Sequence, residues 1–318
     1  MLKLFFPVFC VCALLVGCAA IETQTRPTLP EPVSSLPYRI GESGVFEVDV
    51  LLDESGPYTM LIDTGATISS LYDDTIRLLG LPEVTGENII VHGLSQSSLQ
   101  PVVRPSQLQL GDIIRTNLRM AVLPEPREAF GPAGVLGMDF LKDYVALFDH
   151  ETSTLSFYQP EAIKDYPFEG WQRITLSKNP YSERDFNLFF LTIRIGNNTV
   201  PAVFDLGASF SLMNWAAANS PEVRLLRRQL RNQWEVNGAV GSFTPSVRVT
   251  FDFLRSNRYV WENWTVFVTD LEPLEVMGGN GQPLMVAGAD LFRDTSFAMD
   301  FTRGLIFIRP SPRHKATP

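Results

Sequence analysis

The chain has 318 residues, of which 45% are hydrophobic and 19% charged, enough apolar material for two compact domains. Its net charge of −9 argues against nucleic acid as a partner, because binding to phosphates requires a clustered positive surface. Gly and Pro are frequent but follow no short period, which excludes collagen-like and low-complexity chains.

Residues 1–18 are predicted to be an export signal rather than part of the fold. Lys3 supplies a positive charge, and an uncharged, mostly apolar run follows from residue 4 to residue 17. That run is shorter than the roughly 20 apolar residues that a membrane span requires. The sequence LVGC at residues 15–18 resembles a bacterial lipobox. The resemblance implies a lipoprotein signal peptide, with cleavage before Cys18 and lipidation of that cysteine; a plain secretory signal is the alternative interpretation.

The other two cysteines, Cys10 and Cys12, would be removed with the signal. An exported chain with one cysteine has no intramolecular disulfide, so its stability must come from its core. In Gram-negative lipoproteins, a residue other than Asp after the lipidated cysteine, here Ala19, implies the outer membrane, facing the periplasm. Residues 19–37 are rich in proline and poor in large apolar side chains, and they are predicted to form a tether.

Three landmarks occur in the same order in both halves of the chain, which indicates an internal duplication. The first is an apolar strand that ends in Asp-x-Gly-Ala, the second an apolar-apolar-Gly strand, and the third a predicted β-hairpin. They lie at residues 60–67, 134–141 and 145–158 in the first half, and at residues 202–209, 285–292 and 296–308 in the second.

Short β-branched and aromatic runs, separated by Gly, Pro, Asn and Asp, predict a mostly β protein. We expect an N-terminal lobe at 38–160, a C-terminal lobe at 172–310 and a disordered tail at 311–318. Helices are predicted at 70–79 and at 221–233.

These landmarks resemble the pepsin and retropepsin superfamily of aspartic peptidases, and the chain looks like two retropepsin-type lobes fused into one polypeptide. The resemblance implies a bilobal acid-protease fold, with two homologous β-barrel-like lobes and a cleft between them. It also implies that Asp63 and Asp205 are the catalytic residues, holding a water that hydrolyses a peptide bond. One carboxylate would act as the base and the other, protonated, would polarise the scissile carbonyl. Two carboxylates in contact share a proton and titrate as a pair.

The turns around the two aspartates are expected to support the dyad. The glycine two residues after each aspartate lets backbone amides approach the acids. The second turn departs from the family, which has a hydroxyl residue directly after the aspartate, so only one of the two cross-lobe hydroxyls is present. Both positions after the glycines are alanine, and the missing hydroxyl donors predict a weakly acidic to neutral pH optimum. These supporting residues are Thr64, Gly65, Ala66, Leu206, Gly207 and Ala208.

Gly93 and Gly238 lie in turns between the first and second landmarks of their halves. They are flap candidates over an extended peptide, and ordinary hairpin turns are the alternative. Asp139 and Asp290 follow the second landmark and are expected to cap helices rather than to act in catalysis. No metal site is expected, because the three histidines lie far apart and the mature chain has no paired cysteines.

The resemblance therefore implies an exported, lipid-anchored aspartic endopeptidase that cleaves extended peptides or proteins and needs no cofactor. Dimerisation is not required, because both lobes belong to one chain. The alternative is a catalytically inactive envelope lipoprotein that keeps the cleft to bind peptide, and Leu206 favours this interpretation. A purely structural scaffold gives no reason for aspartates at both repeated turns.

Overall fold

The computed structural model describes residues 29–92, 97–124, 131–163, 168–182, 187–218, 233–236, 244–270, 272–279 and 281–311. The predicted signal with Cys18 and the flap candidates Gly93 and Gly238 lie outside the described residues. The same holds for the helix predicted at 221–233, except Gln233, and for the predicted tail beyond Ser311. Within the described ranges, no helix is long and apolar enough to cross a membrane.

Three β-sheets account for most of the described chain, and the helices are short. The strands, numbered in chain order, are β1 (Ser34–Pro37), β2 (Arg39–Ile40), β3 (Phe46–Leu52), β4 (Ser55–Ile62), β5 (Ser70–Tyr72), β6 (Glu83–His92), β7 (Ser97–Val103), β8 (Gln107–Leu110), β9 (Ile113–Thr116), β10 (Met120–Leu123), β11 (Gly134–Leu136), β12 (Val145–Asp149), β13 (Thr154–Tyr158), β14 (Gln172–Thr175), β15 (Phe190–Ile195), β16 (Asn198–Phe204), β17 (Leu212–Met213), β18 (Gln233–Val236), β19 (Thr244–Ser256), β20 (Tyr259–Val268), β21 (Met285–Ala287), β22 (Phe297–Asp300) and β23 (Leu305–Ile308). The helices are α1 (Asp73–Leu79), α2 (Met138–Leu141), α3 (Trp215–Ala218) and α4 (Glu272–Leu274). Single 3-10 turns lie at Pro160–Ala162 and Ala289–Leu291, and a π-helical turn lies at Glu275–Gly279.

The first lobe is a half-barrel with the strand order β6-β7-β10-β5-β11-β4-β3-β8-β9, and β2 pairs with β3. Strand β3 follows the expected period of two, with Phe46, Val48, Val50 and Leu52 buried. Helix α1 confirms the prediction of a helix in 70–79 but starts later, because the first three residues pair as β5. It ends at Gly80, whose φ of 64° is the left-handed conformation typical of a helix C-terminus.

The second lobe has the strand order β15-β16-β21-β17-β20-β19-β18. An additional pairing of β15 with β19 closes the first six of these strands into a barrel, and β18 pairs with β19 outside the closed ring. Its central pairings repeat those of the first lobe. In the first lobe β4 is parallel to β11, β11 antiparallel to β5, and β5 parallel to β10. In the second lobe β16, β21, β17 and β20 make the same series of parallel and antiparallel contacts. The two lobes are thus built on one plan, as the duplication predicts.

A six-stranded antiparallel sheet joins the lobes, in the order β1-β13-β12-β22-β23-β14. It contains both hairpins predicted as the third landmark. The hairpins meet where β12 pairs with β22, so that Phe148 lies opposite Phe297 with their rings stacked 4.7 Å apart. The mostly β, bilobal acid-protease architecture is confirmed.

The predicted tether extends too far along the chain. Its last four residues form β1, which pairs with β13 at the edge of the joining sheet. Ser34 is buried there, and the neighbouring Val33 and Leu36 pack against the main core. The segment is therefore ordered as a strand, because Val33 and Leu36 pack against the core and the edge of β13 is available for pairing, despite the proline-rich composition.

One continuous hydrophobic cluster runs through both lobes and the joining sheet. A chain of aromatic contacts within it leads from Phe46 in the first lobe, through Phe148 and Phe297, to Phe292 and then Phe204 in the second. Consecutive ring centroids in this chain lie 4.7–5.2 Å apart. Because Phe204 directly precedes Asp205, this packing ties the position of that aspartate to the core of both lobes.

Candidate active site

Each repeated aspartate lies directly after a central strand of its lobe. Asp63 follows β4, and its N–H donates to the carbonyl of Leu136 at 3.0 Å. Asp205 follows β16, and its N–H donates to the carbonyl of Ala287, also at 3.0 Å. The strand of the second landmark therefore fixes where each aspartate turn begins.

The same landmark also holds the end of each turn. The carbonyl of Ala66 accepts a hydrogen bond from the N–H of Met138 at 2.8 Å. The carbonyl of Ala208 accepts one from the N–H of Ala289, again at 2.8 Å. Each turn is thus held by one backbone hydrogen bond at its start and one at its end, which leaves the aspartate little freedom to move.

Asp139 and Asp290 each bind a serine of the adjacent aspartate turn, and the prediction that they cap helices is wrong for both. Helix α2 is preceded by Gly137 and has no side-chain cap. The Asp139 carboxylate accepts hydrogen bonds from the N–H and the hydroxyl of Ser69, at 2.8 and 2.7 Å. The Ser69 hydroxyl in turn accepts from the N–H of Gly137 at 3.0 Å. Burial raises the pKa of Asp139.

Asp290 occupies the equivalent place in the second lobe, where the 3-10 turn at Ala289–Leu291 likewise has no side-chain cap. It accepts the hydroxyl proton of Ser211 at 2.8 Å and the indole N–H of Trp264 at 2.9 Å. Burial raises its pKa to about 6. Neither serine was predicted to take part in the site, although Ser69 and Ser211 lie at the same distance after their aspartates, a signal present in the duplicated sequence.

Backbone amides surround both carboxylates of the dyad. Asp63 Oδ1 accepts from the N–H groups of Gly65 and Ala66, at 2.7 and 2.8 Å. Asp205 Oδ1 accepts in the same way from the two residues after Leu206, at 2.9 and 3.2 Å. Both alanines therefore act through their backbone, and neither supplies a hydroxyl.

The two carboxyl groups lie in hydrogen-bonding contact with each other, each beneath the glycine of the opposite turn. A Cβ atom on Gly65 would lie 2.5 Å from Cγ of Asp205. A Cβ atom on Gly207 would collide with the carboxyl group of Asp63 in the same manner. Glycine is thus required at both turns because any side chain would push the opposite carboxyl group out of place.

The pKa of Asp63 is raised well above its usual range, first by burial, then by the negative charge of Asp205 and the hydrogen bond between the two. Burial also raises the pKa of Asp205, but there the hydrogen bond with Asp63 acts in the opposite direction. Backbone N–H groups, including that of Gly65, further favour the ionised form of Asp205. Because both pKa values are raised, the pair retains one proton above the usual range of aspartates, and that proton belongs to the pair of carboxyl groups.

Thr64 makes the cross-lobe link that the sequence led us to expect from one side only. Its hydroxyl donates to the carbonyl of Phe204 at 2.8 Å and accepts from the N–H of Leu206 at 3.0 Å. Leu206 returns no such bond; its side chain is fully buried in the main hydrophobic cluster. The second half of the link is thus replaced by apolar packing.

Apolar clusters flank the dyad on both sides. In the first lobe Ala66 packs against buried Tyr72, Leu123 and Val135, and Val91 of β6 packs against the same cluster. In the second lobe Ala208 and Phe267 pack against a cluster that includes residues of α4 and β21. Among the described residues, no group of three or more His, Cys, Asp or Glu is placed to hold a metal ion.

Residues 48–140, under a third of the chain, match the family model of aspartyl proteases. The matched segment contains Asp63, its turn and all but the last residue of the second landmark of the first lobe, and it supports a general aspartic-peptidase function. The second lobe lies outside the match. No curated protein matches the chain.

Proposed function

We propose that this chain is an aspartic-type endopeptidase, with Asp63 and Asp205 as its catalytic residues. The observation that carries the proposal is the contact between two carboxyl groups, one from each lobe, that lie at the ends of equivalent strands. Two lobes in one chain supply both acids, so the site requires neither a second copy nor a cofactor.

In the reaction we propose, ionised Asp205 takes a proton from a water held between the acids. The water oxygen then attacks the scissile carbonyl carbon, and Asp63 gives its proton to the carbonyl oxygen. The resulting gem-diol collapses when one hydroxyl returns its proton to Asp63 and Asp205 gives its proton to the departing amine. The C–N bond breaks, and the dyad is left with one proton as at the start. The backbone N–H groups around both acids hold them in place throughout.

A second candidate function is a catalytically inactive envelope lipoprotein that keeps the cleft to bind peptide. The observation that favours it is Leu206, which leaves Thr64 without its hydroxyl counterpart. Against it, Thr64 keeps both of its own cross-lobe bonds, and all the N–H donors to the dyad are present. Peptidase activity is therefore our first proposal.

We further propose that Cys18 is lipidated and anchors the protein to the cell envelope, at the outer membrane facing the periplasm in a Gram-negative cell. The support is the lipobox-like sequence LVGC. Intact-mass analysis of the mature protein from its native host would test it. A diacylated or triacylated N-terminus at Cys18, lost in Cys18→Ser together with membrane association, is expected. An unmodified mature N-terminus would contradict the anchor.

The function is tested with a chain that begins at Glu22 and so keeps every described residue. It is incubated with a mixed peptide library between pH 4 and 7.5, beside Asp63→Asn, Asp205→Asn and wild type with a statine-type inhibitor. We expect internal cleavage of extended peptides by wild type, lost in all three controls, with a weakly acidic to neutral optimum.

Folded wild-type protein that cleaves nothing at any pH, but binds library peptides equally well with and without Asp63→Asn, would favour the peptide-binding lipoprotein. An optimum at strongly acid pH would contradict the expectation from Ala66 and Ala208. Circular dichroism of each variant establishes that it is folded.

A further inference from the structure

Three polar, exposed side chains outside the dyad connect the two lobes. The hydroxyl of Ser97, at the start of β7, donates to Oε1 of Glu272, at the start of α4. His92, at the end of β6, places Nδ1 2.6 Å from the same hydroxyl oxygen. Because Ser97 gives its one proton to Glu272, His92 must be the donor to Ser97. We call these three residues the cross-lobe latch.

The latch fastens a hairpin that also packs beside the dyad. His92 and Ser97 are paired across β6 and β7, and Val91 points to the opposite face of that hairpin. There Val91 packs against the same buried cluster as Ala66, whose N–H donates to Asp63. One face of the hairpin thus borders the catalytic turn of the first lobe, while its other face carries the residues that hold the second lobe.

The Glu272 end of the latch lies beside a buried residue of the second lobe. Glu272 is followed by Leu274, which is 1% exposed and belongs to the cluster against which Ala208 packs. The N–H of Ala208 donates to Asp205. The latch therefore connects a segment next to the Asp63 turn with a segment next to the Asp205 turn, and it spans the cleft.

We propose that the cross-lobe latch determines which substrates reach the dyad. While it is closed, a peptide can only thread beneath the β6–β7 hairpin, which admits short peptides and unfolded chain segments. A loop held at both ends by a folded protein cannot thread, so it enters only when the latch opens. This inference rests on the proposed peptidase function, and in it Ser97, His92 and Glu272 are positioning residues.

The latch is one exposed chain of hydrogen bonds, and the net contribution of such a bond is small. Removing it should raise the population of open hairpin about fivefold, without a measurable change in the stability of the whole protein. The first test is hydrogen–deuterium exchange of the full chain, read at the amides of hairpin residues 88–91 and 98–100. The variants are Ser97→Ala, Glu272→Ala and their combination. Glu275→Ala, an exposed acid in the same segment, is the matched control.

We expect hairpin amides to exchange about fivefold faster in each single variant, with no further increase in the double variant, because both changes break the same bond. Glu275→Ala should exchange like wild type, and the thermal unfolding midpoint should be the same in all proteins. Unchanged exchange in Ser97→Ala and Glu272→Ala would overturn the latch, whatever the cleavage assay gives.

The second test compares kcat/KM for the best library peptide, free in solution and inserted in a loop of a folded carrier protein. We expect the latch variants to cleave the inserted peptide about fivefold better than wild type, and the free peptide at the wild-type rate. Faster exchange with an unchanged ratio of the two substrates would overturn the substrate restriction. Faster exchange with no cleavage by any protein would support the latch and contradict the peptidase function, so the two failures can be told apart.

Discussion

The hydroxyl of Thr64 accepts a hydrogen bond from the backbone N–H of Leu206 at 3.0 Å, across the boundary between the lobes. The same hydroxyl donates to the carbonyl of Phe204. One buried side chain therefore satisfies two backbone groups on either side of Asp205. Leu206 contributes apolar contacts to the core at the position where the family has a second hydroxyl.

Replacing Thr64 by Val should destabilise the protein by about 2–6 kcal/mol. The change keeps the shape of the side chain but leaves the buried N–H of Leu206 and the carbonyl of Phe204 without their partner, at about 1–3 kcal/mol for each unsatisfied group. Denaturant unfolding measures the loss. Thr64→Ser keeps the hydroxyl and should cost about 1 kcal/mol; equal losses in the two variants would show that the hydroxyl is not responsible.

Introducing the missing hydroxyl with Leu206→Thr should lower stability by about 1–2 kcal/mol rather than raise it. The fully buried leucine side chain loses apolar contacts, and one new hydrogen bond of about 1 kcal/mol offsets only part of that loss. Leu206→Ala, which leaves a cavity and forms no bond, should cost about 3 kcal/mol. A Leu206→Thr variant more stable than wild type in the same unfolding experiment would mean that the leucine is a poor fit in this core.

Gly65→Ala and Gly207→Ala should each lower kcat/KM by at least about a hundredfold, because the added methyl group would displace the opposite carboxyl group. Peptide cleavage measures the effect. Gly80→Ala is the contrasting variant: it has open space around it but a φ of +64°, so it should lower stability by about 1 kcal/mol and leave cleavage unchanged. Normal cleavage by Gly65→Ala would contradict the contact between the turns.

The dyad should make the protein less stable as the pH rises above about 4. The pKa of Asp63 is raised in the folded state, so between its unfolded value, about 3.9, and its folded value the native protein holds more protons than the unfolded chain. The free energy of unfolding therefore falls as the pH rises through this window. Asp63→Asn removes this contribution and should flatten the fall.

Denaturant unfolding of wild type and Asp63→Asn at several pH values between 4 and 8 measures the difference between their slopes. Asp290 and Asp139 also have raised pKa values and contribute a fall of the same sign in both proteins, so only the difference reports on the dyad. Parallel curves for the two proteins would show that Asp63 titrates as an ordinary aspartate.

Much of the architecture and the two central acids could be predicted from the sequence, because their signals are local. The apolar strands that end at Asp63 and Asp205 are continuous in the chain, and so are the hairpins around residues 145–158 and 296–308. Their repetition in the same order indicated that both halves share one fold, which the equivalent strand pairings bear out.

The contacts that the sequence did not reveal join residues that are far apart in the chain. The bond between Ser69 and Asp139 depends on how β11 lies beside β4, and the latch between Ser97 and Glu272 depends on how the lobes face each other. Neither arrangement follows from local propensity or period. The strand at 34–37 was missed for the same reason, since its partner β13 lies far along the chain.

The joining sheet also constrains how the chain must be made. Its middle pairing, β12 with β22, brings Phe148 against Phe297, and β22 is synthesised long after β12. Until then β12 presents an unpaired apolar edge of the kind that associates with other chains, and such distant pairings form slowly. In the nascent polypeptide this edge of β12 thus stays unpaired until β22 has been synthesised. A chain cut short before residue 297 would keep the edge permanently, and we expect such fragments to aggregate rather than persist as single-lobed proteins.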